Sequence, residues 1–285
     1  MDSRIARPLT LAAAGVVAFA VVLVSAYFIG PIAQWDATGL QGLHTLSVEH
    51  RWIWHIGDGL VHSVDLPWLT LGLLAVCAAG LLMGRRRQAL AAALLVGGAC
   101  LITALIKIAA AHPRYQPILG TDQMPESAFP SGHATAAMSL VLAAVLVAPS
   151  RWRRATAIVG GSFALAVSLA LMVQGWHFPS DVLAGLLIST TTSLMVLAGL
   201  RANDGIRSAA GAPVERRFQL RSIGMRALEL LAITAALAVA LLAITHPNAL
   251  TSYAATHTTG VIAAIGIAVA SISLVYAVTA ELEAR

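Results

Sequence analysis

FPSGHATAAMSLVLAAVLVA, residues 129–148, joins a polar, proline-punctuated stretch (112–128) to an apolar run of membrane length. A proline, a small hydroxyl, a glycine and a histidine stand at its first turn, an odd start for a plain lipid anchor. Pro130 suits a first helical turn, where its missing N–H would be unpaired in any case. Ser131 and Gly132 leave the next N–H groups uncovered at the positive end of the helix dipole, where an anion is favoured. His133 sets a titratable group beside that anion site. The stretch therefore predicts a transmembrane helix with a polar site at its start.

Composition extends that reading to the whole chain. Apolar residues make up 58% of the 285 and charged residues 11%, against about 25% charged in a soluble domain, so the chain reads as an integral membrane protein. Eight segments stand as candidate spans near the ~20 apolar residues that a bilayer requires: 9–30, 67–83, 89–111, 130–148, 155–176, 181–200, 227–245 and 259–280. The first is longer than a signal-peptide core and lacks a small-x-small cleavage site after it, so it reads as a retained anchor. Seventeen of the eighteen basic residues are arginine, Lys107 being the exception. Fifteen of the eighteen fall on one set of connections: Arg4 and Arg7, 85–87, 151–154, 201–226 and Arg285. The alternate set carries only Arg51, Lys107 and Arg114. The positive-inside rule then predicts cytoplasmic termini in a bacterial inner membrane, with the alternate connections facing outward. Confinement of the arginines to these connections also removes nucleic acid as the reason for the net +5. All nine histidines lie in or beside the outward set, a second asymmetry. Cys77 and Cys100 sit in apolar runs with no Cys-x-x-Cys pattern and read as small buried side chains.

The expected architecture is an all-α, polytopic transmembrane helical bundle. Residues 1–200 form a six-span core, 201–226 an Arg-rich cytoplasmic linker attracted to anionic headgroups, and 227–285 carry two additional spans that offer a contact surface for a protein partner or a second copy. The outward segment 31–66 alternates apolar and polar residues and reads as one or two amphipathic helices at the interface, its tryptophans at headgroup level. Its four histidines are spaced six, five and seven apart, with Asp58 and Asp65 nearby; this fits no common metal-ligand pattern.

Three polar clusters fall on the outward side. Lys107 precedes Arg114 by seven positions, and an ionisable residue near a span end is a functional candidate by default. Residues 129–133 form the second cluster. In the third, 176–181 (WHFPSD), His177 and Asp181 stand four apart, a spacing that puts a carboxylate on one imidazole nitrogen and leaves the other free to attack. Together these supply two cations, helix-terminal N–H groups, a free histidine and an oriented one, the parts for phosphoryl transfer through a phosphohistidine. No acidic cluster stands with them to hold magnesium or calcium, so the reaction is expected to need neither metal nor cofactor.

These residues resemble the signature of the type 2 phosphatidic acid phosphatase superfamily of membrane lipid phosphatases: Lys-x6-Arg-Pro, Pro-Ser-Gly-His, and Ser-Arg-x5-His-x3-Asp. The first part appears as Lys107 and Arg114, with Tyr115 for the proline; the second is intact at 130–133; the third keeps His177 and Asp181. The resemblance implies His177 as nucleophile, Asp181 as its orienter, and His133 as proton donor to the leaving group. Lys107, Arg114, Ser131 and the Gly132 N–H would hold the phosphoryl oxygens. It implies a phosphorylated lipid in the bilayer as substrate, with a polyprenyl phosphate, diphosphate or sugar phosphate favoured and phosphatidate-type lipids next. The Ser-Arg pair of the third part falls at Ala170 and Leu171, and leucine donates nothing to an oxyanion. Gln174, one turn before His177, is a candidate substitute donor. The departure leaves three outcomes open: a working phosphatase or diphosphatase, a lipid phosphotransferase, and a catalytically silent lipid-binding or scaffold protein.

Overall fold

The structure, a computed structural model, describes residues 3–208 and 247–283. The expected seventh span, 227–245, lies outside the described residues, as does most of the 201–226 linker. The described residues fold as ten helices and one 3-10 turn (Pro117–Leu119), with no strand among them. The helices are α1 (Ser3–Phe28), α2 (Gly30–Glu49), α3 (Arg51–His62), α4 (Leu66–Leu82), α5 (Arg86–Ala109), α6 (Gly132–Val147), α7 (Ser150–Val173), α8 (Pro179–Ser208), α9 (Pro247–Thr256) and α10 (Thr258–Glu283). The all-α membrane bundle is as expected. Among the described residues α1, α5, α7, α8 and α10 are long and apolar enough to cross a membrane; α3 and α4, bent by 57° at their junction, make up to a sixth crossing.

The helix opened by residues 129–133 differs from the expected span. α6 has 16 residues, so it is about 24 Å long, short of the ~30 Å hydrocarbon core. Its apolar residues point in all directions, and it is buried on nearly all of them, wedged among α4, α5, α7 and α8. A helix apolar all round belongs in the centre of a bundle. Pro130 follows a cis Phe129–Pro130 peptide, and Ser131 is the N-cap, its Oγ accepting from Ala134 N at 3.3 Å.

α8 is fixed against that start. Ser131 N donates to the Asp181 carbonyl at 2.9 Å, and a Cβ built on Gly185 would stand 2.7 Å from Ser131 O and 3.0 Å from Thr135 Oγ1. Only glycine admits so close an approach.

The opposite end of the bundle is ionic. Glu281, 1% exposed, meets Arg7 Nε at 2.6 Å and Arg201 Nη1 at 3.2 Å; Arg154 pairs with Glu283 at 2.9 Å, and Arg153 donates to Leu282 O at 3.0 Å. A buried carboxylate without such partners would be strongly destabilising. From Asp181 to Arg201 along α8 is about 30 Å at helical rise, the thickness of a hydrocarbon core.

The segment 31–66 packs one of its faces onto the bundle. It forms two helices, and α2 turns Asp36, Ala37, Leu40, Leu43 and Ser47 into the protein. The cause is a small-residue contact with α10: a Cβ on Gly39 would lie 3.3 Å from Ala263 Cβ, and one on Gly260 3.2 Å from Gly39 O. Tyr253 of α9 adds a hydrogen bond to Gly42 O at 2.6 Å.

Gly185→Ala should therefore lower the thermal midpoint of the purified protein in detergent by the equivalent of about 1–3 kcal/mol, an overpacking cost. Gly199→Ala on the same helix, with open space around the new Cβ, should leave the midpoint unchanged or slightly raised.

Candidate active site

Four chain segments meet at the polar end of α6 and α8. α7 ends at Val173, and the chain reverses through Gly175, which sits at φ +74° against the His44 ring. That turn delivers His177 ahead of α8 rather than on it. Nδ1 of His177 lies 3.4 Å from Asp181 Oδ2, a long contact of the kind that tightens when a substrate arrives. The same oxygen accepts from Phe178 N at 3.1 Å, so Asp181 serves both the turn and the imidazole. With Nδ1 directed at the carboxylate, Nε2 is the nitrogen left for chemistry. Asp181 is fully buried and His177 is 8% exposed.

Arg114 reaches this pair from the loop after α5. Its Nη2 is bound to Asp181 Oδ1, its Nη1 donates to Ser180 Oγ at 3.1 Å, and Nη1 lies 3.7 Å from Asp36 Oδ2. The guanidinium carbon also sits 4.5 Å from the centre of the Phe178 ring, 5.1 Å from Tyr27 and 5.7 Å from Phe129, so three aromatic faces screen the charge from water.

The start of α6 faces His177. His133 and His177 have ring centres 6.5 Å apart, and Trp176 stands edge-on to His133 at 5.7 Å. Asp65, between α3 and α4, has Oδ1 3.1 Å from His133 Nε2. Lys107 donates to Ser127 O at 2.6 Å and touches Ala128 O at 3.4 Å; its Cε would lie 3.8 Å from a Cβ on Gly132. An ammonium has three donors, so two carbonyls leave capacity for an incoming oxyanion. Ser131 is fully buried and its hydroxyl oxygen is used as the cap, which leaves its hydrogen to donate.

His177, Asp181, His133, Lys107, Arg114, Ser131 and Gly132 are thus brought to one end of the bundle. Gln174 is not joined to them: its Nε2 donates to Trp54 O at 2.6 Å, and its side chain packs over Gly57. That amide nitrogen is spent on α3, so the expected substitute for the third-motif arginine is not supplied there. Leu171 is fully buried in the apolar core.

Two carboxylates at the site escaped the sequence reading. Asp36 is 4% exposed and accepts from Ser180 N at 2.9 Å and from Ser180 Oγ. It caps, from another helix, the first free N–H of α8. The available signal was its position on the apolar face that carries Ala37, Leu40 and Leu43. Asp65 stood out only beside the four histidines of 31–66, in a spacing that fits no metal-ligand pattern. Burial and the neighbouring Asp181 charge push the Asp36 carboxyl up to about 7, against the Ser180 hydrogen bonds and the Arg114 charge. Among the described residues no group of three or more His, Cys, Asp or Glu is placed to hold a metal ion.

Residues 88–204 match the family model of the PAP2 superfamily. No curated protein matches the chain. Among solved structures, a transmembrane PAP2-type phosphatidylglycerolphosphate phosphatase from Bacillus subtilis superposes with a TM-score of 0.52 at 19% identity, over 68% of this chain and 96% of that one. At that identity the likeness is one of fold.

The raised Asp36 carboxyl sets a pH dependence. Between pH ~4, where a solvated Asp ionises, and about 7, where Asp36 ionises in the folded protein, the folded state holds the extra proton. Stability on this account falls as pH rises across that window and levels off above it. Thermal midpoints in detergent should show Asp36→Asn gaining on the wild type from pH 5 to pH 8, by an amount on the order of a few kcal/mol. A constant difference across the range would exclude this titration.

Proposed function

We propose that this chain, whose residues 88–204 match the family model of the PAP2 superfamily, is a lipid phosphatase or diphosphatase working through a phosphohistidine. The observation that carries the reading is the pair of facing imidazoles, one on a buried carboxylate, at the N–H end of α6. Nε2 of His177 attacks phosphorus as the P–O bond to the lipid alcohol breaks. His133 gives its proton to the departing oxygen, or to the departing phosphate when the substrate is a diphosphate. Water then attacks the N–P bond, His133 takes one of its protons, inorganic phosphate leaves and His177 returns to its starting form. Lys107, Ser131 and the first N–H groups of α6 are the donors toward the phosphoryl oxygens, the type of fixed stabilisation that contributes most to such transfers. Arg114 joins them by turning part of its guanidinium from its carboxylates, of which Asp36, raised toward neutrality, yields first. No step requires a metal.

The substrate class is a phosphorylated lipid: polyprenyl phosphate, diphosphate or sugar phosphate ahead of phosphatidate-type lipids. Phosphatidylglycerol phosphate belongs in the same panel because the Bacillus subtilis protein of like fold is named for it. The arginine asymmetry supports a site on the outer face of a bacterial inner membrane, with cytoplasmic termini. The buried Leu171 favours one competing reading, a lipid-phosphate binder without turnover, because one cation of the family pocket is absent. A missing oxyanion donor costs about 10²–10³ in rate, which slows a phosphatase without silencing it.

Purified protein in detergent should release phosphate from at least one member of the lipid panel, and EDTA should leave the rate unchanged. His133→Ala should lose about 10²–10⁴ in rate, and His177→Ala should lose both turnover and the acid-labile phosphoenzyme. Turnover that survives His177→Ala would overturn the mechanism; tight lipid-phosphate binding with no turnover would establish the silent binder.

A further inference from the structure

Asp65 has a partner that its place in the chain does not explain. It is the N-cap residue of α4, where an Asp side chain ordinarily accepts from its own helix, yet it makes no such bond. N2 is Pro67, which has no N–H to offer. The carboxylate turns instead to α6, 68 residues on, and sits 3.1 Å from His133 Nε2. His133 is enclosed on its other sides by Trp176 and His177 from the turn before α8 and by Lys107 from α5. Trp176 in turn lies between two imidazoles, His133 and His62, each 5.7 Å away and edge-on. The ring of His133 is therefore gripped on one edge by a charge and on one side by an indole.

We infer that Asp65 is a positioning residue, holding His133 through Nε2 so that Nδ1 is the nitrogen that exchanges protons with the substrate. The two histidines are then pinned in opposite senses: His177 by Nδ1, freeing Nε2 to attack, and His133 by Nε2, freeing Nδ1. In the imidazolium form Nδ1–H donates to the leaving oxygen. In the neutral form Nε2 keeps its hydrogen and donates it to Asp65, and the Nδ1 lone pair accepts a proton from the attacking water. One carboxylate thus sets the correct tautomer for both halves of the reaction, the orienter role transferred from the nucleophile to the acid. Asp65 and His133 side chains are 39% and 28% exposed, so the gain is that of a partly solvated pair, about tenfold rather than the larger factor of a buried one.

This inference rests on the phosphatase reading, and leaving-group chemistry separates the two. An alkoxide leaving group needs a proton as it departs; a nitrophenolate does not. We would compare kcat/KM for dodecyl phosphate and for 4-nitrophenyl phosphate in the wild type, Asp65→Asn and Asp65→Glu. The value of kcat/KM reports the steps up to loss of the leaving group, before water enters. Asp65→Asn should fall about tenfold on dodecyl phosphate and stay within about twofold on 4-nitrophenyl phosphate, whose rate also certifies that the variant is folded. Asp65→Glu should recover most of the alkyl activity. Equal losses on both substrates, or no loss on dodecyl phosphate, would overturn the inference and leave the phosphatase reading standing. A wild type that acts on neither substrate, nor on any lipid phosphate, removes both.

Discussion

One guanidinium ties three distant parts of the chain together. Arg114 comes from the loop after α5, Asp36 from α2 and Asp181 from α8, and the side chains are almost fully buried. In a water-poor interior any one of the three left alone would be a costly charge, so the loop, α2 and the start of α8 are held together or not at all. The rings of Tyr27, Phe129 and Phe178 close the remaining sides. Because Asp181 also orients His177, the interaction that stabilises the junction is the one that aims the imidazole. Asp36 extends the link outward: α2 rests on α10 through glycine contacts, so a helix beyond the 88–204 segment supports the site at second hand.

The two ends of the bundle solve one problem in different ways. Lipid offers little hydrophobic drive for helices to associate, so close packing and polar pairing must do so. At the arginine-rich end, Glu281 and Glu283 bind Arg7, Arg154 and Arg201 and fasten α10 to α1, α7 and α8. At the other end the charges are arranged around two facing histidines, His133 and His177. Between them Gly185 lets α8 approach the α6 start within backbone contact.

The fold class was legible because bilayer crossing leaves a local signature, long apolar runs with arginine on alternate connections. Most of the residues gathered at the site were legible for a similar reason: Pro130 to His133 are contiguous, His177 and Asp181 are four apart, and Lys107 and Arg114 stand out as cations at the end of a span. Asp36 and Asp65 were not legible, since each acts across a gap of 144 or 68 residues and neither interrupts a recognisable pattern. The enclosure of α6 by other helices was missed because a hydropathy window cannot distinguish lipid from surrounding helices; a mostly apolar 16-residue helix looks alike in either solvent. Gln174 was misjudged because one-turn spacing from His177 assumed a continuous helix, whereas Gly175 reverses the chain between them.

The carboxylates that position the site also alter its electrostatic character. Lys107 and Arg114 stand among Asp36, Asp65 and Asp181, so cations do not outnumber acids and the site is no well of positive potential. Long-range attraction then contributes little to drawing in an anion. An oxyanion bound there would be held by the directions of individual N–H and O–H bonds rather than by a field of positive charge. On the proposed function, such a site lets the spent phosphate depart without having to escape a trap.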